Sequence, residues 1–235
     1  MNMFDQETKS MRAYIVAFFI TLAITSSAFA QLSGNPENWC REGLFTRETK
    51  DFGVGFVKTA RTSFHDDQKA NCPVATCKTS SYVVKGDTII TSKKYNGFSC
   101  GWFTSSKGGV KVGWLRTADL EFPLMLHSAS ERVWTGEWSY ASNTISFTPN
   151  KLDGFLNVTG DAMWKGLGDN VHIGELDGRS PHKDGVLEYS DGDSEFDCKA
   201  TMQLAVERFL IVADNGNCGG ANVSFSGIYR KVNKK

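Results

Sequence analysis

The sequence predicts an all-β fold, built as two disulfide-stapled units behind a removable leader. Three observations predict it. Apolar residues alternate with polar ones over stretches of about four to eight residues, the mark of strands with one buried face. Asn, Asp and Gly punctuate those stretches, with 23 Gly against 5 Pro in 235 residues. Runs rich in Ala, Leu and Glu, which favour helix, are missing.

The leader comes first. Residues 11–30 read MRAYIVAFFITLAITSSAFA. Arg12 gives a positive start, Ala13 to Leu22 is an apolar core, and Ala28-Phe29-Ala30 is a small-x-small cleavage site, so residues 1–30 read as a secretory signal peptide. The apolar run is too short for a permanent span and no second one follows, so no transmembrane anchor is expected in the mature form. Residue 31 is Gln rather than Cys, which argues against lipid attachment. The chain is expected to be periplasmic or secreted.

Removing the leader leaves about 205 residues, enough for one large or two small domains. Formal net charge is zero, so no counterion-release drive toward nucleic acid exists. The basic end, Arg230 to Lys235, reads as a solvated terminus. All six cysteines lie in the mature part, and an even count in an exported chain argues for disulfides. Cys198 and Cys218 have no other nearby partner and are paired on that ground; closing their loop is worth about 3 kcal/mol. Cys40, Cys72, Cys77 and Cys100 allow three connectivities that remain open. They lack paired C-x-x-C spacing, so no zinc and no other cofactor is expected.

Residues 31–58 read as an N-terminal extension. From 59 to 120 the chain reads as short strands and tight turns. Ser81 to Val84 and Thr88 to Thr91 are strands around the Lys85-Gly86-Asp87 turn. Asn96-Gly97 is a hairpin turn that needs positive φ at both residues, and Phe98 to Phe103 is its partner strand. Lys107-Gly108-Gly109 turns into Val110 to Leu115, and Arg116 to Leu120 forms a short helical turn. The order Y-V-V-K-G-D, T-I-I, N-G-F-S-C-G-W-F and V-G-W-L-R-T-A-D-L resembles bacterial SH3-like domains. That resemblance implies a small barrel of five or six strands, found in exported proteins and often on cell-wall hydrolases, with Gly113-Trp114-Leu115 on its last strand. Cys72 and Cys77, in the loop before Tyr82, depart from the pattern.

Residues 121–132 read as a linker around Pro123, with Leu124 to Leu126 able to pack between units. From 133 to 235 eight strands follow: Trp134 to Trp138, Thr144 to Thr148, Phe155 to Thr159, His172 to Leu176, Val186 to Tyr189, Cys198 to Leu204, Phe209 to Val212 and Val223 to Tyr229. Their spacing suits an antiparallel meander, and eight strands close a small barrel with a filled interior. Gly136/Trp138 and Gly227/Tyr229 are expected to meet where first and last strands join. The opening W-x-G-x-W, the middle V-x-I-G-E-x-x-G and the closing D-N-x-x-C-G-G-x-N-V-x-F-x-G-x-Y-R are similar to an uncharacterised domain of exported alphaproteobacterial proteins. That resemblance implies no activity.

Candidate chemistry is sparse. His65-Asp66-Asp67 could supply a base or a metal ligand, against a plain polar turn after strand Arg61 to Phe64. No G-x-S-x-G elbow and no H-E-x-x-H pattern is present. Asp191, Asp193, Glu195 and Asp197 could coordinate calcium, but the place of the bidentate Glu is taken by Met202. The loop Asp214, Asn215, Gly216, Asn217 could form an anion nest or a partner-binding plug, against a hairpin turn locked by Cys218. Tyr82, Tyr95, Trp102 and Trp114 are candidates for an aromatic ligand groove. Asn157 and Asn222 match glycosylation acceptors inside expected strands, an accidental match in a bacterial chain.

The expectation from these features is an exported, non-catalytic binding protein of the bacterial envelope, whose partner is a cell-wall component, such as a cell-wall peptide, or another protein. The alternatives are a secreted inhibitor of a lysozyme-type hydrolase, plugging through 214–221, and an enzyme using His65.

Overall fold

The computed structural model describes residues 34–46, 52–123, 130–152, 154–205 and 208–232. The expected leader and Leu124 to Leu126 lie outside the described residues. The fold is all-β, in two sheets. The first holds β1 (Gly53–Val57), β2 (Arg61–His65), β3 (Lys78–Val84), β4 (Thr88–Tyr95), β5 (Phe98–Thr104), β6 (Val110–Arg116) and β7 (Leu120–Glu121). The second holds β8 (Gly136–Tyr140), β9 (Asn143–Pro149), β10 (Phe155–Lys165), β11 (Val171–Lys183), β12 (Val186–Ser190), β13 (Lys199–Ala205), β14 (Phe209–Asp214) and β15 (Gly227–Lys231).

The first sheet is ordered β3-β2-β6-β5-β4-β1-β7 and does not close. It has seven strands, more than the SH3-like resemblance implies. The extra strands are β1, inside the stretch read as an extension, which pairs antiparallel with β4, and the two-residue β7 beside it. Asn96 (φ 48°) and Gly97 (φ 77°) both adopt the left-handed conformation that the tight hairpin requires. Thr117–Asp119 is the short helical turn expected there.

The second sheet is a closed antiparallel barrel, β10-β11-β12-β13-β14-β15-β8-β9. First and last strands meet through Arg230 opposite Ser139 and Lys231 opposite Trp138. Strict alternation along β10 turns Leu156, Val158 and Ala162 inward, as period-two patterning dictates. Trp138, Phe147, Met202, Phe225 and Tyr229 are fully buried and fill the interior. At the seam of first and last strands Gly227 lets the Tyr140 ring lie on the backbone: a Cβ there would stand 2.3 Å from Tyr140 Cδ1. Strand boundaries differ from expectation: β10 runs on to Lys165 and β11 to Lys183, past the expected ends at Thr159 and Leu176, and two segments read as strand are not. Trp134 belongs to α1 (Glu131–Trp134), a single turn whose carbonyl accepts the Trp138 indole N–H at 2.9 Å. Residues 223–226 form no strand, because Asp214 ties their backbone and hydroxyls down; Asn222 therefore sits in a loop, at φ 66°, rather than within a strand.

All six cysteines are bonded: Cys40–Cys100, Cys72–Cys77 and Cys198–Cys218. Disulfides persist in oxidising compartments, which fits a protein working outside the reducing cytosol. Among the described residues no helix is long and apolar enough to cross a membrane.

Candidate functional site

The two sheets share a core. Along β14 all of Phe209, Leu210, Ile211 and Val212 are buried, so this strand is covered on both faces. Leu210 and Val212 point into the barrel. Phe209 and Ile211 point outward and, with Ala205 and Ile228, pack on Trp102, Ile90, Val54 and Phe45 of the first unit. Trp102 and Phe209 meet edge to face, ring centroids 5.4 Å apart. Gln203 Nε2 donates to the Phe52 carbonyl across the same boundary at 3.1 Å. Burying each large side chain here contributes about 1.5–3 kcal/mol, so the seam is a joint between fixed bodies.

Two clefts flank that seam. The first, of about 280 Å³, is lined by Glu42, Trp102, Tyr140, Asn143, Trp164 and Ser226 among others. Burial, and then the nearby Glu42 charge, push the Tyr140 hydroxyl above its ordinary pKa. Much of its remaining polar lining is already engaged: Asn143 Nδ2 donates to Ser224 O at 2.8 Å and Ser226 Oγ to Asp214 Oδ1 at 2.9 Å.

The second cleft, of about 750 Å³, is lined by Thr88, Thr104, Ser105, Arg208, Arg230 and Lys231, with Phe103 and Phe209 beside them. Arg230 lies opposite Phe209 on the neighbouring strand and donates to Thr104 Oγ1 across the seam. The Arg208 guanidinium stands 5.8 Å from the Phe209 ring centroid. Both arginines are exposed, Arg208 near the Phe209 ring and Arg230 across from it on the next strand, and among the described residues neither has a carboxylate partner. Lys231 is turned to the barrel end, where Nζ donates to Val133 O at 2.6 Å over the Trp138 ring. Asp87 is the cleft's acid, and its Oδ2 accepts the Val84 N–H at 2.8 Å.

The four aromatics expected to form a groove do not share a surface. Trp114 is fully buried, its indole N–H held by Asn38 O at 2.9 Å, and Trp102 is buried in the seam. They stand on strands that are covered rather than solvent-facing, which alternation alone did not show. Tyr82 and Tyr95 are exposed; Arg61 stacks on Tyr82 at 3.7 Å, and Tyr95 packs toward Trp114 at 6.2 Å.

The loop at Asp214 consumes its own polar groups. Asp214 accepts from Ser224 Oγ, Ser226 Oγ, Gly216 N and Phe225 N. Asn215 Oδ1 accepts from Lys199 N and Asn217 N, and Asn215 Nδ2 and Asn217 Nδ2 donate to Asp197 O and Glu195 O. The N–H groups of residues 214–217 that would form an anion nest are therefore taken by the chain's own carbonyl and side-chain oxygens. The acidic loop 191–197 is tied to the same turn. Among the described residues the one cluster with metal-ligand spacing is Asp66 with Cys72 and Cys77, whose sulfurs are joined to each other.

Among the described residues His65 meets no carboxylate. It is buried edge-on to Phe98 at 4.8 Å, Nδ1 has no partner among the described residues, and burial lowers its pKa. Asp67 is committed to Arg41 at 3.1 Å and to Cys40 N at 2.8 Å, and Asp66 Oδ1 to Gln68 N at 3.2 Å. The three neighbours are not assembled into a catalytic group.

Comparison with known proteins gives no matching family model, no matching curated protein and no matching solved structure.

What the arrangement can do chemically is concentrated at the cationic cleft. Guanidinium forks bind carboxylates in bidentate fashion, and an aromatic floor between them accepts an apolar stem. The sequence carried one signal for this seam. Phe209-Leu210-Ile211-Val212 is continuous rather than alternating, the pattern of a strand covered on both faces.

Proposed function

We propose that this is an exported, non-catalytic binding protein of a bacterial envelope, periplasmic or secreted, that holds a cell-wall peptide or a protein partner on the seam between its two sheets. The observation that carries this reading is the cationic cleft: Arg208 and Arg230, neither with a carboxylate partner among the described residues, beside a phenylalanine on a rigid joint, in a chain of zero formal charge. The leader-like start, the three disulfides and the SH3-like order of turns support it. Retention of the purified, oxidised protein on isolated peptidoglycan is the test. Retention is expected, and its absence counts against the cell-wall form of the proposal.

A second reading is a lysozyme-type hydrolase inhibitor acting through residues 214–221. The rigidity of that loop, stapled by Cys198–Cys218, favours it, because a pre-ordered plug loses little entropy on binding. Unchanged lysozyme turnover in the presence of excess protein dismisses it.

A further inference from the structure

We propose that the cleft flanked by Arg208 and Arg230 takes a free carboxylate presented by a short acidic peptide. This rests on the reading above and narrows it to one cleft and one ligand chemistry.

The argument is local. With 26 basic and 26 acidic residues the chain has no general positive field, so attraction to an anion must come from a particular place. At this place the Arg208 guanidinium stands 5.8 Å from the Phe209 ring centroid and Arg230 faces Phe209 from the neighbouring strand; among the described residues neither has a carboxylate partner, while the nearby ammonium of Lys231 is spent on the Val133 carbonyl. The cleft's own acid, Asp87, is held by the Val84 amide. Arginine rather than lysine supplies the available charge, and its planar fork matches the two oxygens of a carboxylate. Thr88, Thr104 and Ser105 add hydroxyl groups that can bond a peptide backbone. Phe103 and Phe209 give the floor apolar area, which suits the stem of an amino-acid side chain better than a bare inorganic anion. Cell-wall peptides carry free carboxylates, so the same chemistry meets the proposed function.

The experiment is calorimetric titration at low ionic strength with the peptide acetyl-Ala-Glu-Ala, which carries two carboxylates and no cation, against acetyl-Ala-Gln-Ala-amide as the uncharged control. The acid is expected to bind about tenfold or more tighter than the amide, and added salt to weaken it. Arg208→Ala/Arg230→Ala is expected to lose about tenfold or more in affinity for the acid. Lys165→Ala, on the hairpin end of β10, is expected to bind as the parent does. Both arginines are exposed, and an unchanged melting temperature checks that the seam is intact in the double variant. Equal affinity for acid and amide overturns the proposal, as does parental binding by the double variant. Inorganic phosphate displacing the peptide more efficiently than the free acid also overturns it. Peptidoglycan retention separates this claim from the one beneath it. If the double variant is retained as well as the parent, the cleft is wrong and the function stands. If the parent binds the acidic peptide in the cleft but is not retained, the cleft stands and the cell-wall role falls.

Discussion

Phe209→Ala removes the centre of the joint between the two sheets. The side chain is 7% exposed, stacks edge to face on Trp102 at 5.4 Å, and lies in a cluster drawn from both units. Truncating a buried phenylalanine costs about 3–5 kcal/mol, of which the aromatic pair accounts for about 1 kcal/mol. In a folded chain of about 200 residues each kcal/mol lowers the midpoint by about 2–4 °C, so a fall of about 10 °C is expected. Coupling should suffer too, because the lost area is the area that makes one unit's unfolding expose the other. In differential scanning calorimetry the parent should show one transition with calorimetric and van't Hoff enthalpies equal. The variant should melt lower, with a van't Hoff enthalpy well below the calorimetric one. Two separate transitions in the parent, or a loss under about 1 kcal/mol with the single transition kept, would refute the idea of a shared core.

Three further outcomes follow from the geometry. His65 is buried with its pKa lowered, so below its ordinary value of about 6.5 the unfolded chain takes up a proton that the folded chain resists. Stability should therefore be full above that pH and fall as pH drops through it; His65→Phe, which keeps a ring against Phe98, should flatten that slope in urea unfolding between about pH 7.5 and about pH 5.5. Asp214→Ala strands the hydroxyls of Ser224 and Ser226 and two backbone N–H groups, and should cost about 2 kcal/mol or more in chemical denaturation, while an effect near zero would mean that water replaces the carboxylate freely. Non-reducing peptide mass spectrometry should return Cys40–Cys100, Cys72–Cys77 and Cys198–Cys218, and removing the first pair, which spans 60 residues, should cost about 4 kcal/mol against about 3 kcal/mol for the last, which spans 20.

The barrel was legible because most of its strands are half-buried and keep period two, and β14, covered on both faces, reads as a continuous apolar run. All eight have their counterpart in the sequence pattern, although β10 and β11 run well past the ends read for them. The errors fall where tertiary contacts override a local pattern. Trp134 reads as strand by alternation but closes a turn of helix, with Thr135 Oγ1 bonding the Glu131 carbonyl at 3.0 Å. Residues 223–226 read as strand but are held off the sheet by Asp214. The 198–218 pair could be read from isolation in the sequence, whereas the other four cysteines needed the fold, since Cys40 reaches Cys100 through a cluster in which Cys40 and Phe45 pack with Cys100 and Trp102 of β5. The aromatic groove failed for a related reason: Trp102 and Trp114 are aromatic, but nothing in their spacing says which face is covered. The sequence does not bring Arg208 and Arg230 together. They lie far apart in sequence, obey no motif, and Arg230 falls in a basic end that composition reads as solvated. Strand pairing of β14 with β15 alone makes them neighbours.

The measurement that reaches the central claim most directly is chemical-shift mapping of the amides while soluble peptidoglycan fragments are added. The seam account expects the largest shifts at Thr88, Thr104, Ser105, Arg208 and Arg230, with small ones elsewhere. Shifts gathered at Tyr82 and Tyr95, or at Asp214 to Asn217, with the cleft silent, would contradict it.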